Sequence, residues 1–271
     1  MKHMWQALLL CALLVMTTGL VYAANEPVSW VHNTTGVERE PCLVGNVLYF
    51  VKDYDIYQSV WDGADWSVPV PVPGAVNTLQ NEINPHVVKN GTVMYFGRYD
   101  PVTNYDFYRS EWDPVKQEWG EPVLVAEWST PDQEWDVWVN EDETVAYVTN
   151  KIGYGGVAPI GGRDLWKSVK QDGKWSTPVN LGAPINTSGD EWHVFVDKDG
   201  RIYFESNREG TLGNFDIWVA ETEQGPVSNL TIMNSSAGER GFTMNDEFMI
   251  VAGDRRPGGP GSYDLFILPL K

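Results

Sequence analysis

Three side chains suited to moving protons or holding a metal stand apart in this sequence: His86, Asp136 and His193. Each follows closely on a glutamate that recurs along the chain, at Glu38, Glu82, Glu134, Glu191 and Glu239. Two residues beyond these glutamates come Glu40, Asn84, Asp136, His193 and Gly241; two further on come Cys42, His86, Trp138, Phe195 and Thr243. Residues two apart on an extended strand share a face, so the spacing predicts that both histidines and Asp136 gather on the side the glutamates occupy. Three chemistries are open to such a group. Two carboxylates form an acid/base pair for cleaving a glycosidic bond. Two imidazoles and a carboxylate ligate a divalent metal, the one cofactor these residues suggest. Carboxylates, Asn84 and imidazoles bind sugar hydroxyls while Trp135 and Trp192, directly after two of the glutamates, stack on the ring. None of these sets has local motif spacing. Asp136, His193 and His86 therefore stand as catalytic candidates only, and no metal site is assigned.

Positions so far apart in sequence need elements that bring them together, and a repeat supplies them. After each glutamate comes an aspartate followed by apolar or aromatic residues: Asp55-Ile56-Tyr57, Asp106-Phe107-Tyr108, Asp164-Leu165-Trp166, Asp216-Ile217-Trp218 and Asp264-Leu265-Phe266. Between these two marks lie a short strand, a tight turn such as Asn90-Gly91 or Asp199-Gly200, and a second strand such as Ile202-Tyr203-Phe204. Asn-Gly and Asp-Gly suit type I′ hairpins, whose central residues both need positive φ. A fourth strand is marked by Trp66-Ser67-Val68-Pro69, Trp119-Gly120-Glu121-Pro122 and Trp175-Ser176-Thr177-Pro178.

A four-stranded meander recurring every 40 to 60 residues or so is a propeller blade, and a lone blade cannot bury both faces. The sequence thus predicts an all-β, five-bladed β-propeller of four-stranded antiparallel blades over residues 24–271. Its 13 Trp and 12 Tyr are expected to fill the wedges between blades, since each buries about 150–250 Å². The last repeat stops after its third strand, and Pro27-Val28-Ser29-Trp30 matches the fourth-strand text Pro178-Val179-Asn180-Leu181. The amino-terminal segment is therefore expected to close the last blade.

The segment Tyr203-Phe204-Glu205-Ser206-Asn207-Arg208-Glu209-Gly210, with Gly213-Asn214-Phe215-Asp216-Ile217-Trp218 after it, resembles the PD40 repeat, the WD40-like unit of TolB-type propellers. Trp175-Ser176-Thr177-Pro178 through Ile185-Asn186-Thr187 to Glu191 is similar to it as well. The first repeat departs from the pattern, with Lys52-Asp53 in place of Ser-Asn-Arg. The resemblance spans essentially all of residues 24–271 and implies a periplasmic or secreted propeller. It says little about chemistry, because such propellers serve as protein-binding scaffolds, carbohydrate-active enzymes and parts of secretion assemblies.

Lys2 and His3 precede an apolar run from Trp5 to Met16, and Val21-Tyr22-Ala23 offers a cleavage site, so residues 1–23 read as a signal peptide. No later stretch approaches the roughly 20 apolar residues of a spanning helix. Cys42 is the only cysteine outside that signal, which leaves the fold to rely on its core rather than on disulfides. A net charge of −18 argues against nucleic acid as a partner. Arg98, Arg163, Arg208, Arg255 and Arg256 fall on loops facing the repeat glutamates, a pattern for bidentate pairs that hold blades in register. The Gly-rich loops at 153–162 and 256–261 are candidates for ligand variation. Asp197-Lys198-Asp199-Gly200 reads as a hairpin turn rather than a calcium loop.

The expected function is that of a secreted or periplasmic, monomeric propeller without a membrane span. It would bind a glycan or protein segment through Glu38, Glu82, Glu134, Glu191, Glu239, Asn84, Trp135, Trp192, Arg208 and Arg240. A glycoside hydrolase or lyase using axial Glu or Asp with His is the alternative, and a structural subunit of a cell-envelope assembly is the third reading.

Overall fold

A computed structural model describes residues 26–131 and 134–271 of the chain; the signal peptide expected over residues 1–23 lies outside them. The second strand of each repeat is apolar on both sides, as in Val47–Lys52, Val93–Asp100 and Phe248–Asp254. A strand that reads this way must be covered on both faces, and the blades cover each other. Blade 1 runs outward through Glu38–Val44, Val47–Lys52, Asp55–Val60 and Val70–Pro71. Blade 2 runs through Glu82–Val88, Val93–Asp100, Asn104–Asp113 and Val123–Leu124; blade 3 through Val137–Val139, Val145–Asn150, Asp164–Gln171 and Val179–Asn180. Blade 4 comprises Glu191–Val196, Ile202–Ser206, Asp216–Ala220 and Val227–Asn229. Blade 5 takes Gly238–Met244, Phe248–Asp254 and Tyr263–Pro269, and its outermost strand is Val28–Ser29. The protein is a five-bladed β-propeller.

Five buried clusters fill the five wedges between neighbouring blades. The wedge between blades 5 and 1 holds Trp30, Phe50, Trp66 and Phe248, with Trp30 edge-on to Phe50 at 5.2 Å. Ring closure is visible in the register: Val28 pairs with Ile267 and Ser29 with Phe266, antiparallel. Trp30 N then donates to Leu265 O at 2.8 Å. The outermost strands are only two or three residues long, and each follows a proline: Pro27, Pro69, Pro122, Pro178 or Pro226. A short, proline-started edge offers little to a foreign strand.

Two details differ from the sequence reading. The fourth-strand tryptophans belong to short extensions instead: Trp119 pairs with Trp112 and Trp175 with Lys170, at the far end of strand three. The chain then breaks at the proline before the outer strand proper. The hairpins also vary, since positive φ at both central residues occurs at Asn90-Gly91, whereas Gly45 and Gly200 take it singly.

Candidate functional site

The five repeat glutamates are closed off. Each is 0% exposed, held by the backbone N–H and hydroxyl of a Thr or Ser four residues earlier. Thr34, Thr78, Thr187 and Ser235 donate in this way to Glu38, Glu82, Glu191 and Glu239, and the Thr130 hydroxyl donates to Glu134. The residue just before that Thr or Ser completes a staple. Asn33, Asn77, Asn186 and Asn234 each grip both backbone groups of one residue on strand three of the preceding blade: Leu265, Ile56, Leu165 and Ile217. Blade is thereby locked to blade by Asn-Thr/Ser, three residues, then Glu. Three of the five expected arginines do meet a repeat glutamate, each through Oε1 and within a blade rather than across blades: Arg98 reaches Glu82 at 2.9 Å, Arg208 reaches Glu191 at 3.2 Å and Arg256 reaches Glu239 at 3.5 Å. Arg255 instead lies beside Asp254, and Arg163 over Trp192. Arg208 is further spent on the carbonyls of Pro184 and Ile185. It therefore lies in the staple and does not line the axial cavities described below. Glu134 has Asn150 as neighbour instead of a guanidinium, and burial pushes it up to about 8.

The axis is built from the residues that break the repeat. In four blades the inner strand carries a bulge where those residues fall, between Arg39 and Cys42, Ile83 and His86, Trp192 and Val194, and Arg240 and Phe242. Glu40, Asn84 and Gly241 sit there at positive φ. A bulge inserts one residue and re-aims its neighbours. The simple alternation expected from the sequence therefore fails: the glutamates turn into their loops, while both following residues line the axis in blades 1, 3 and 4 and one of them does in blades 2 (Asn84) and 5 (Arg240). Once there, these side chains bridge inner strands that share no ladder. The Glu40 carboxylate accepts from Asn84 N at 2.8 Å, and Asn84 Nδ2 donates to Trp135 O. His86 Nε2 donates to Val139 O at 2.7 Å. Asp136 Oδ2 accepts from Val194 N at 2.9 Å, His193 Nε2 donates to Phe242 O at 3.1 Å, and Thr243 Oγ1 accepts from Leu43 N at 3.0 Å. Every junction of the ring has such a clasp.

Two cavities share the axis. On the face where the inner strands begin, one of about 180 Å³ is lined by Arg39, Glu40, Asn84, Trp135, Asp136, Trp192, His193, Glu205, Arg240 and Tyr263. Toward the hairpin face lies one of about 250 Å³, lined by His86, Trp138, Phe195 and Phe242 among others, and it too reaches Asp136 and His193. Those two side chains divide the axis. His193 Nδ1 stands 2.9 Å from Asp136 Oδ2, an ion contact whose N–H is not well aligned on the oxygen. Burial alone would lower the His193 pKa, but Asp136 and then Glu205 outweigh it and hold it at about 9. His86 has no such counter-ion, and burial brings it down to about 4. One axial histidine is thus a cation at neutral pH and the other is neutral. Burial also raises Glu40, against the pull of Arg39.

The mouth of the smaller cavity is aromatic and cationic. Trp135 and Trp192 meet edge to face at 5.7 Å, with the Arg163 guanidinium over Trp192 at 4.1 Å and Arg240 over the same ring at 4.8 Å. Arg39 lies over Tyr54 at 5.2 Å. Arg39 Nε is 3.2 Å from Glu40 and Arg240 Nη1 is 3.1 Å from Glu205. Of the residues singled out in the sequence, Asn84, Trp135, Asp136, Trp192, His193 and Arg240 meet here; the five glutamates, Arg208 and His86 do not. Among the described residues no three His, Cys, Asp or Glu side chains converge as a metal site, so His86, Asp136 and His193 do not form the ligand set their types allowed. Arg39 and Glu205 were missed. Arg39 follows its glutamate as Trp135, Trp192 and Arg240 do, and Glu205 stands where the other blades have Val51, Gly97, Thr149 and Ala252, so an odd charge marked it.

The loops that carry Gly161, Gly213 and Gly261 approach the neighbouring blade closely. A Cβ on Gly161 would sit 2.0 Å from Gly189 O, one on Gly213 1.4 Å from Ala237 O, and one on Gly261 2.5 Å from Gly36 O. In blades 3, 4 and 5 the loop between strands two and three presses onto the entry loop of the next blade.

No protein-family model matches this chain, and no curated protein matches it in sequence. Solved structures do. A thermostable family-43 glycoside hydrolase superposes with a TM-score of 0.58 at 14% identity, over 89% of this chain and 91% of that one. Putative TolB from Agrobacterium tumefaciens gives 0.53 at 13% identity, over 88% and 92%. A gluconolactonase from Xanthomonas campestris gives 0.51 at 12% identity, over 92% and 96%. At such identities the likeness is one of fold, and fold does not fix chemistry.

Proposed function

We propose that this chain is an exported propeller of the PD40 type that binds an extracellular glycan in the axial cavity on the face where its inner strands begin. The observation that carries the reading is the pairing of Trp135 and Trp192, both half-buried, above Glu40, Asn84 and Glu205 in one concave site. Aromatic faces take the apolar side of a sugar, and convergent carboxylate, amide and guanidinium groups take its hydroxyls. Trp30, Trp128 and Trp166 fill wedges between blades; Trp135 and Trp192 border a cavity that also holds carboxylate, amide and guanidinium groups. A glycan array on the full protein tests the reading, with hits expected that disappear in Trp135→Ala and Trp192→Ala. Uniform absence of hits, together with a protein that co-purifies stoichiometrically, would instead favour an envelope assembly.

Catalysis is a second reading, favoured by one observation. Burial raises the Glu40 pKa in the same cavity that holds Asp136, so two carboxyl groups of different surroundings stand in one site. Against it, each of the three axial carboxylates already has a cation beside it. Turnover of chromogenic glycosides that is abolished by Glu40→Gln with the melting temperature unchanged would establish it.

A further inference from the structure

Resting on the glycan reading, we infer that the mouth cavity takes one neutral sugar ring at the end of a chain, not a run of residues along it. A cavity of about 180 Å³ is small beside the roughly 300–1,000 Å³ of clefts that take drug-sized ligands, which suits one ring rather than a run of them. The floor is shut by the Asp136–His193 contact, so a chain cannot thread onward into the hairpin-side cavity. Every blade contributes to the wall, from Arg39 on blade 1 to Tyr263 on blade 5, which leaves no trough across the face.

The lining also sets the charge of the guest. Its ionic groups come as three cation–carboxylate pairs: Arg39 with Glu40, His193 with Asp136, and Arg240 with Glu205. A carboxylate accepts a hydroxyl proton and a guanidinium donates to a hydroxyl oxygen, so adjacent hydroxyls on one ring match a pair at both ends. A uronic acid would meet lining cations that are already paired, with Glu40, Asp136 and Glu205 repelling it in a desolvated site; Arg163 stands outside that lining, over Trp192. Trp135, from blade 3, and the part of Trp192, from blade 4, that Arg163 and Arg240 leave open are available to the ring's apolar face.

The experiment titrates the full protein with arabinose, xylose, glucose, galactose and mannose, with glucuronic and galacturonic acids, and with linear neutral oligosaccharides of those five sugars, followed by tryptophan fluorescence and ligand-observed NMR. At least one neutral monosaccharide is expected to bind, with its oligosaccharide within about threefold of it and the uronic acids silent, because only one ring contributes contacts. Trp192→Ala and Arg240→Lys should each weaken that binding about tenfold or more; if Trp192→Ala does not fold, Arg240→Lys carries the comparison. Oligosaccharides that bind while no monosaccharide does, or that tighten with each added residue, would overturn the chain-end inference and leave the glycan reading standing. A preference for uronic acids would overturn the neutral-guest part. Silence from every sugar of either length would remove the glycan reading itself and this inference with it.

Discussion

His193 Nδ1 lies 2.9 Å from Asp136 Oδ2, joining blade 3 to blade 4 at the axis and separating the two axial cavities. The pKa of His193 rises from 6.5 to about 9: burial opposes the cation, but Asp136 and Glu205 prevail. A raised folded-state value means that the native protein binds the proton more tightly, so the stabilisation is full below about pH 6.5 and fades as pH climbs through about 9. A gap of that size corresponds to roughly 3 kcal/mol, for a side chain only 13% exposed. Urea midpoints should therefore fall between about pH 6.5 and 9. Glu134, pushed up to about 8 by burial, adds a decline of its own from lower pH. The difference between wild type and His193→Gln isolates the histidine, and two parallel profiles would contradict the assignment.

The Asn-Thr/Ser-x-x-x-Glu staple predicts a sharp contrast between two equivalent positions. Asn186 is 1% exposed and bonds both Leu165 N and Leu165 O, plus Asn180 Oδ1. Asn186→Ala strands buried backbone groups and should cost about 2–4 kcal/mol. At the junction of blades 2 and 3 the same place is held by Ser129, whose buried Oγ has no partner among the described residues. Ser129→Ala should be close to neutral. Equal losses in chemical denaturation would show that the staple contributes no more than ordinary packing.

Trp30 tests ring closure without truncating the chain. It is 4% exposed in the wedge between blades 5 and 1, one residue past the Val28–Ser29 strand that completes blade 5. Trp30→Ala should cost about 3–5 kcal/mol. Val28 on that strand is 60% exposed, and Val28→Thr should stay within about 0.5 kcal/mol. A Trp30→Ala protein as stable as the wild type would mean that the amino-terminal strand is a passenger.

The architecture was legible because a propeller writes itself into the sequence several times over: five Asp-centred strands, and a leading segment that reads like a fourth strand. What stayed hidden was local. A bulge at Glu40, Asn84 or Gly241 leaves no mark in hydrophobic alternation, because one inserted residue shifts the phase of everything beside it. The glutamates recurred for a reason the sequence displays only in part: Thr34, Thr78, Thr187 and Ser235 were present at a constant offset, but their reach back to the carboxylate is a matter of loop geometry. His86 and His193 looked alike as letters. One is neutral and the other a cation because only His193 has Asp136 beside it.

Gly213 decides between two accounts of the long loops, tolerated insertion or joint. If the loop between strands two and three of blade 4 is an insertion with freedom to move, Gly213→Ala is absorbed by a small shift. If it is a joint, the new methyl would lie 1.4 Å from Ala237 O, a backbone atom on the next blade's entry loop that is itself fixed by the Ser235–Glu239 bonds. Neither side can then yield, and overpacking of this kind costs about 1–3 kcal/mol or more. Leu212 beside it is 58% exposed, so Leu212→Ala reports on the loop without touching the contact and should change stability by less than about 0.5 kcal/mol. A large loss for Gly213→Ala with none for Leu212→Ala is the signature of a joint, and similar small losses for both would return the loop to the class of free insertions. The joint account makes the same demand of Gly161 against Gly189 O, 2.0 Å from the added carbon, so the two substitutions must stand or fall together.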